Sequence, residues 1–223
     1  MKLSNDTLTI LKNFANINAG LEFRKGNKLA TISPSKTVLA KTTLADQFPE
    51  DFCVHDLNEF LSVHSLYKDP VLDFDDVNVV FRSGRNKTNY RKTSKTAIVT
   101  VPEKELSLPT VEVSFTLKEE DFQFAMKTSS VLKSPNIAIE SDGKKVYLSC
   151  FNAVDNGAHT NSTEIADGNG NEFKAVFSTE NWKMIPGTYN VEISSKGLAL
   201  FKSANMDLQY WIAVEAKYSK FGG

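Results

Sequence analysis

The sequence predicts an α+β fold built from two similar halves, and three observations predict it. Four stretches carry apolar residues at helical spacing. The segments between them alternate apolar and polar residues with a period of two. The order helix, strands, helix, strands then occurs twice: helix starts near Ser4 and Asp56 are matched near Thr116 and Ser178, about half the chain later. Each half is expected to be an antiparallel sheet carrying two helices, with an N-terminal domain over 1–108 and a C-terminal domain over 109–223.

The first helix is expected over Asn5 to Ile17. Leu8, Leu11 and Ala15, with Ile10, Phe14 and Ile17, make a broad apolar face, and Asn5, Thr9, Lys12 and Asn16 line the opposite one. Ser4 is its expected N-cap, and Asp6 suits the positive first turn. The second helix runs over about Leu57 to Leu66, with Asp56 and Glu59 at capping-box spacing. Pro70 blocks its extension. The third covers about Leu117 to Leu132, with Thr116 and Glu119 as a second capping box. Its residues Phe122, Ala125 and Met126 face inward, and Gln123, Lys127 and Ser130 face out. The fourth, about Thr179 to Met184, is capped by Ser178 and stopped by Pro186-Gly187.

Period-two segments supply the strands: Val77–Phe81, Ala97–Val101, Ile137–Ile139, Val146–Ser149, Glu172–Phe177, Tyr189–Ile193, Leu198–Phe201 and Gln209–Glu215. Gly-containing turns such as Ser141-Asp142-Gly143 and Ser195-Lys196-Gly197 separate several of them. The charged, Pro-bounded stretch Pro102 to Pro109 is the linker between halves.

Composition bounds the function. The 223 residues carry 26 basic and 27 acidic side chains, net charge −1, with 41% hydrophobic residues. That is globular composition and excludes a disordered chain or a polycation. Any nucleic-acid contact must come from a local patch. Cys53 and Cys150 form neither a disulfide framework nor a Cys-x-x-Cys site, which favours a reducing compartment. The N-terminus lacks the apolar core of a signal peptide, and no apolar run is long enough for a bilayer. The sequons at Asn86 and Asn161 are therefore read as accidental.

Motifs for catalysis are missing. There is no phosphate-binding loop, nucleophile elbow or zinc-protease motif, and His55, His64 and His159 lack metal-ligand spacing. His64 is expected to be a packing residue of the second helix. Asp167 to Glu172 resembles the start of a calcium loop but lacks its sixth-position Gly and twelfth-position Glu, so a hairpin turn is expected. Asp73, Asp75 and Asp76 could hold a divalent metal only with helper groups that are not visible in the sequence. Glu119, Glu120 and Asp121 suit a helix N-terminus without any chemistry. The one unusual segment is Arg82 to Lys95, with six basic residues in fourteen and no acid. It is either a solvated hairpin or a phosphate-contacting loop, and the latter would make the chain a monomeric nucleic-acid-binding module.

Several segments, in order and across nearly the whole chain, resemble one family. They are Met1 to Thr7 with Leu11 to Gly20, His55 to Leu66, Leu117 to Phe122, Phe173 through Trp182 to Tyr189, and Tyr210 to Ala216. The family is the DNA polymerase sliding clamp, or processivity factor, of T-even-type bacteriophages. The resemblance implies a sliding-clamp ring subunit with no enzymatic activity and no cofactor. Three subunits would close head to tail, helices lining the hole and sheets outside. Implied partners are duplex DNA, the replicative DNA polymerase, a clamp loader complex and late-transcription factors, in the cytoplasm of an infected bacterial host. Lys12 and Lys127 are the expected DNA-facing residues, with Lys2, Lys118, Lys133 and Lys183 as further candidates. The expected partner-peptide pocket comprises Leu106, Leu108, Pro109 and Val111, with Ala213 and the Val38-Leu39 pair. The basic segment and the tail Tyr218 to Gly223 depart from the family's pattern.

Overall fold

The first unit, Met1–Lys104, begins with helix α1 (Asn5–Ile17), which buries Ile10, Leu11, Phe14 and Ile17. Ser4 caps it as expected, its Oγ accepting the Thr7 N–H at 3.2 Å. The computed structural model describes residues 1–104 and 106–222, so Glu105 of the expected linker lies outside the described residues. Four strands follow α1: β1 (Leu21–Phe23), β2 (Gly26–Ile32), β3 (Val38–Phe48) and β4 (Phe52–Val54). β1 pairs with β4, and β2 with β3, both antiparallel. Helix α2 (Leu57–Ser65) is capped by the Asp56 carboxylate, which accepts the N–H groups of Asn58 and Glu59 at 2.9 and 3.1 Å. A meander of β5 (Val71–Phe74), β6 (Asn78–Ser83) and β7 (Asn86–Arg91) completes the unit.

The core of this unit is aromatic. Phe23 stacks on Phe52 with centroids 4.4 Å apart, and Phe60 of α2 meets Phe81 at 5.1 Å and Tyr90 at 5.4 Å. One face of the meander therefore packs on α2. The other carries Arg82, Lys87 and Arg91, with Arg82 directly opposite Lys87.

The second unit, Glu105–Gly223, has β8 (Val113–Leu117), helix α3 (Glu119–Leu132), β9 (Asn136–Asp142), β10 (Lys145–Phe151), β11 (Asn161–Asp167) and β12 (Glu172–Ser178). After a 3₁₀ turn at Thr179–Asn181 come β13 (Tyr189–Ser194), β14 (Leu198–Ser203), β15 (Leu208–Ala213) and the two-residue β16 (Lys220–Phe221). One sheet has the order β11-β10-β9-β12-β16, and β15-β14-β13-β8 are neighbours in the other. Trp182 joins the helix to the sheets: it stacks on Phe122 of α3 at 5.9 Å and meets Phe177 and Phe201 edge-on at 5.8 and 5.7 Å.

Four expectations need correction. The fourth helix is only the 3₁₀ turn, closed by the Trp182 N–H on the Thr179 carbonyl at 3.1 Å. Too few residues precede Pro186 to repay nucleation of an α-helix, and burial of Trp182 and Met184 sets the path instead. Thr116 does not cap α3, because it belongs to β8 opposite Asn190. Lys118 is the N-cap residue and supplies no side-chain bond; the Glu119 N–H goes to Thr188 Oγ1 instead. Ala97–Val101 is not a strand. Ala97 ends a short 3₁₀ helix, and Ile98 lies so close over Gly20 that a Cβ there would sit 2.6 Å from its Cγ2. Finally, Asp167 to Glu172 does not join paired strands, since β10 and β9 lie between β11 and β12. It crosses the β9–β10 turn, where the Gly168 and Gly170 N–H groups donate to the Lys144 and Gly143 carbonyls.

Candidate functional site

The polar face of α1 is open: Asn5, Thr9, Lys12 and Asn16 are exposed. Its other side is spent in the core, so Lys12 points to solvent in no ion pair among the described residues. On α2, Asn58, Glu59, Ser62 and Ser65 form a matching exposed strip. On α3, Lys127 is exposed between Gln123 and Ser130 and likewise has no ion pair among the described residues. Phe124 and Val131 share that exposed side, 49% and 72% accessible, which the expected apolar face did not include.

The other candidate lysines differ from these two. Lys2 is engaged with the Asp69 carboxylate. Lys118 lies 3.9 Å from Glu120, beside Glu119 and Asp121, so its field is largely cancelled. Lys133 is exposed at the C-terminus of α3 in a left-handed conformation, φ 52°. Lys183 is half-buried after the 3₁₀ turn.

The basic segment is the β6–β7 hairpin, with Gly84 at φ 57° in its tip. Half of its cations are neutralised within the unit: Arg82 by Asp73 at 2.8 Å, Lys92 by Glu50, and Lys95 by Glu22 at 2.7 Å. Arg85, Lys87 and Arg91 remain outside ion pairs among the described residues. The acids singled out nearby have structural work. Asp75 accepts the Val77 and Asn78 N–H groups, which hold its carboxyl below the ordinary range, and Asp73 holds Arg82. Among the described residues, no three His, Cys, Asp or Glu side chains come together as a metal site. His64 sits edge-on to Phe81 at 6.3 Å, and burial lowers its pKa.

Of the expected peptide-pocket residues, Leu106 and Val111 are exposed at 38% and 51%, Pro109 is exposed, and Leu108 and Ala213 are half-buried. Val38 and Leu39 are buried in β3 at 1% and 7%, leaving little surface to offer a ligand.

Among the strands that end a sheet, which include β2 and β8, β7 and β11 carry charge on one face. Among the described residues β7 pairs only with β6, whereas the outer edge of β5 is engaged by the Met1 carbonyl, which accepts the Leu72 N–H at 2.7 Å. β11 pairs only with β10 among the described residues. Val146 and Leu148 of β10 face inward, and Cys150 Sγ donates to the Ala125 carbonyl of α3 at 3.4 Å. Glu164 and Asp167 of β11 lie opposite Tyr147 and Lys145, on the face turned away from α3. The β7 and β11 edges thus each have a helix behind one face and charge on the other: basic on β7, and on β11 the Glu164 and Asp167 carboxylates, each 2.8 Å from Lys145 of β10. Sequence reasoning missed them because neither strand has a regular apolar alternation.

Two units of helices on antiparallel sheets, with open strand edges, are the architecture of the sliding clamps, a class of non-catalytic accessory proteins. The PCNA of A. fulgidus, solved with the C-terminal region of FEN-1 bound, has the same fold: TM-score 0.66 at 14% identity, covering 93% of this chain and 94% of that one. The family model described as DNA polymerase processivity factor matches residues 4–100, and that of the gp45 sliding clamp C-terminal domain matches 114–216. The sliding clamp of Escherichia phage RB69 is 33% identical over 97% of both chains. That of Vibrio phage KVP40 is 32% identical over 97% of this chain and 100% of its own. The chain belongs to the gp45 family of phage sliding clamps, as the resemblance in its sequence implied. No helix among the described residues is long and apolar enough to cross a membrane.

Proposed function

We propose that three copies of this chain close head to tail into a ring around duplex DNA, and that the ring tethers the replicative DNA polymerase for processive synthesis. The observation that carries this is the pair of open edges. β7 of one copy and β11 of the next can add to one another antiparallel, continuing each sheet across the seam. Lys87 and Arg91 then meet Glu164 and Asp167 on the outer face, and the helices of both copies fall on the inner one. Residues 1–108 and 109–223 act as the two clamp domains of each copy.

Retention is topological, so the chain needs no enzymatic activity and no strong affinity for DNA. A hole lined by Lys12 and Lys127 among Asn, Ser and Gln attracts phosphates without reading bases, which suits sliding. Lys133 supplements them; Lys2, Lys118 and Lys183 contribute less, given their surroundings. The net charge of −1 is compatible, because only the hole must be neutral to positive. Partner peptides dock around Leu106, Leu108, Pro109, Val111 and Ala213; Val38 and Leu39, buried within β3, contribute little. The A. fulgidus PCNA, which shares the fold, carries a bound C-terminal region of FEN-1, which is in keeping with such docking. The remaining partners are a clamp loader complex and late-transcription factors, in the cytoplasm of the infected bacterium.

Light scattering across a dilution series tests the ring. The expected mass is about three times 24.8 kDa, near 74 kDa. Loaded protein should stay on closed circular DNA and escape when the circle is cut. A strict monomer at high concentration, or equal retention on cut and uncut DNA, overturns the proposal.

A further inference from the structure

The tail closes the β12 edge of the five-stranded sheet with few and poorly matched contacts. The Glu215 N–H donates to the Val176 carbonyl at 2.7 Å, and the Gly222 N–H to the Glu172 carbonyl at 3.1 Å. The Val176 N–H is satisfied by a side chain, Ser219 Oγ at 2.9 Å, rather than by a strand. Among the described residues two pairs have ladder register: Phe221 opposite Phe173, and Lys220 opposite Lys174. The second pair sets like charges face to face, which weakens an antiparallel ladder. Lys174 is compensated by Glu140 at 2.8 Å and lies 4.6 Å from the Phe151 ring centroid. Lys220 has no ion pair among the described residues. Beside the tail an open groove of about 550 Å³ is lined by Glu140, Tyr147, Glu172, Lys174, Lys220 and Phe221.

We propose that residues 215–222 are a displaceable strand, and that the β12 edge beneath them receives an extended segment of a partner protein. That segment carries an acidic residue at the place of Lys220 and an aromatic one at the place of Phe221. The acid pairs with Lys174 where the tail opposes it, and the aromatic ring keeps the contact with Phe173. The backbone bonds that hold the tail serve the incoming strand equally, which is the physics of strand addition at a sheet edge. The groove gives room for side chains on the outer face. The proposal is independent of ring closure, because β12 and β11 are opposite sides of the sheet.

The test uses a fluorescent synthetic peptide copying residues 215–222 with K220E, titrated against four forms of the protein. These are the unaltered chain, Gly222→Ala, Lys220→Glu, and a chain ending at Ala216. A Cβ at Gly222 would lie 2.9 Å from the Glu172 carbonyl oxygen, so Gly222→Ala loosens the tail without removing it. Apparent affinity scales with the fraction of molecules whose edge is open. The shortened chain should bind about tenfold more tightly than the unaltered one, Gly222→Ala should fall between, and Lys220→Glu should bind most weakly. Equal affinity across the four forms overturns the proposal. So does a shortened chain that pairs with its own copies, seen by light scattering, while ignoring the peptide. If the shortened chain does not fold, the opposed shifts of Gly222→Ala and Lys220→Glu still decide.

Discussion

Thr188 caps a helix that begins 69 residues earlier: its Oγ1 accepts the backbone N–H of Glu119 at 3.2 Å. The first turn of α3 carries three acids and an N-cap residue without a side-chain bond, so Thr188 takes the place of a local cap. Thr188→Val should lower stability by about 1 kcal/mol, the usual worth of an N-cap. Thr116→Val, at the position that sequence spacing suggests for the cap, should change it by less than about 0.5 kcal/mol. Urea denaturation of both variants checks this, and a larger loss for Thr116→Val would refute it.

The start of the second unit is tied down by one carboxylate. Glu112 accepts the Thr110 hydroxyl at 2.6 Å, the Ser195 N–H at 2.8 Å and the Ser195 hydroxyl at 2.7 Å. These bonds, Thr110's first, outweigh burial and hold its pKa down to about 2. A carboxyl lowered in the folded state adds stability that is full above its ordinary range and is lost as pH falls. The contribution of Glu112 should therefore be intact above pH 4.5 and fade toward pH 2. Denaturation midpoints over that window should fall less steeply for Glu112→Gln than for the unaltered chain.

Reversing both charges proposed to line the hole, Lys12→Glu with Lys127→Glu, should abolish processive synthesis on primed circular DNA. Both side chains are exposed, so the melting behaviour should shift by no more than about 0.5 kcal/mol. Normal processivity in the double variant would remove these lysines from the hole.

At the proposed seam, Lys87→Glu with Arg91→Glu places like charges against Glu164 and Asp167. The ring should dissociate at concentrations where the unaltered protein is intact. Adding Glu164→Lys and Asp167→Lys should restore part of the assembly, and sedimentation velocity reads each step. Unchanged mass in the first variant would exclude the β7–β11 seam.

Both thiols are buried, Cys53 at 7% and Cys150 at 0% exposure, and burial pushes the Cys150 thiol up to about 11. Native protein at pH 8 should resist a thiol reagent, and denaturant should release both groups together. Rapid native labelling would indicate local opening of the sheets behind α1 or α3.

Much of this fold was legible in the residues because it is enforced locally. Ser4 and Asp56 cap their helices where spacing said they would, and the apolar stripe of α1 is buried from Ile10 to Ile17, with Leu8 half-buried. Helix period and capping act within a few residues, so a linear reading captures them. None of the four strands between Leu21 and Val54 was read from the sequence. β1 and β4 have three residues each, too few for an alternation to stand out, and β4 is buried throughout; β2 opens on Gly-Asn-Lys and β3 on three consecutive buried residues, so neither begins with a clean alternation.

The sequence by itself determined the class, the presence of the first three helices and the family, since these rest on periodicity and on the order of motifs. The tertiary structure decided what depends on partners far along the chain: the capping of α3 by Thr188, the neutralisation of Lys2 by Asp69 and of Lys92 by Glu50, and which strands end a sheet. An exposed lysine and an ion-paired one look alike in a sequence. Only the fold fixes the distance to the nearest carboxylate, and that distance sets how much field each lysine keeps.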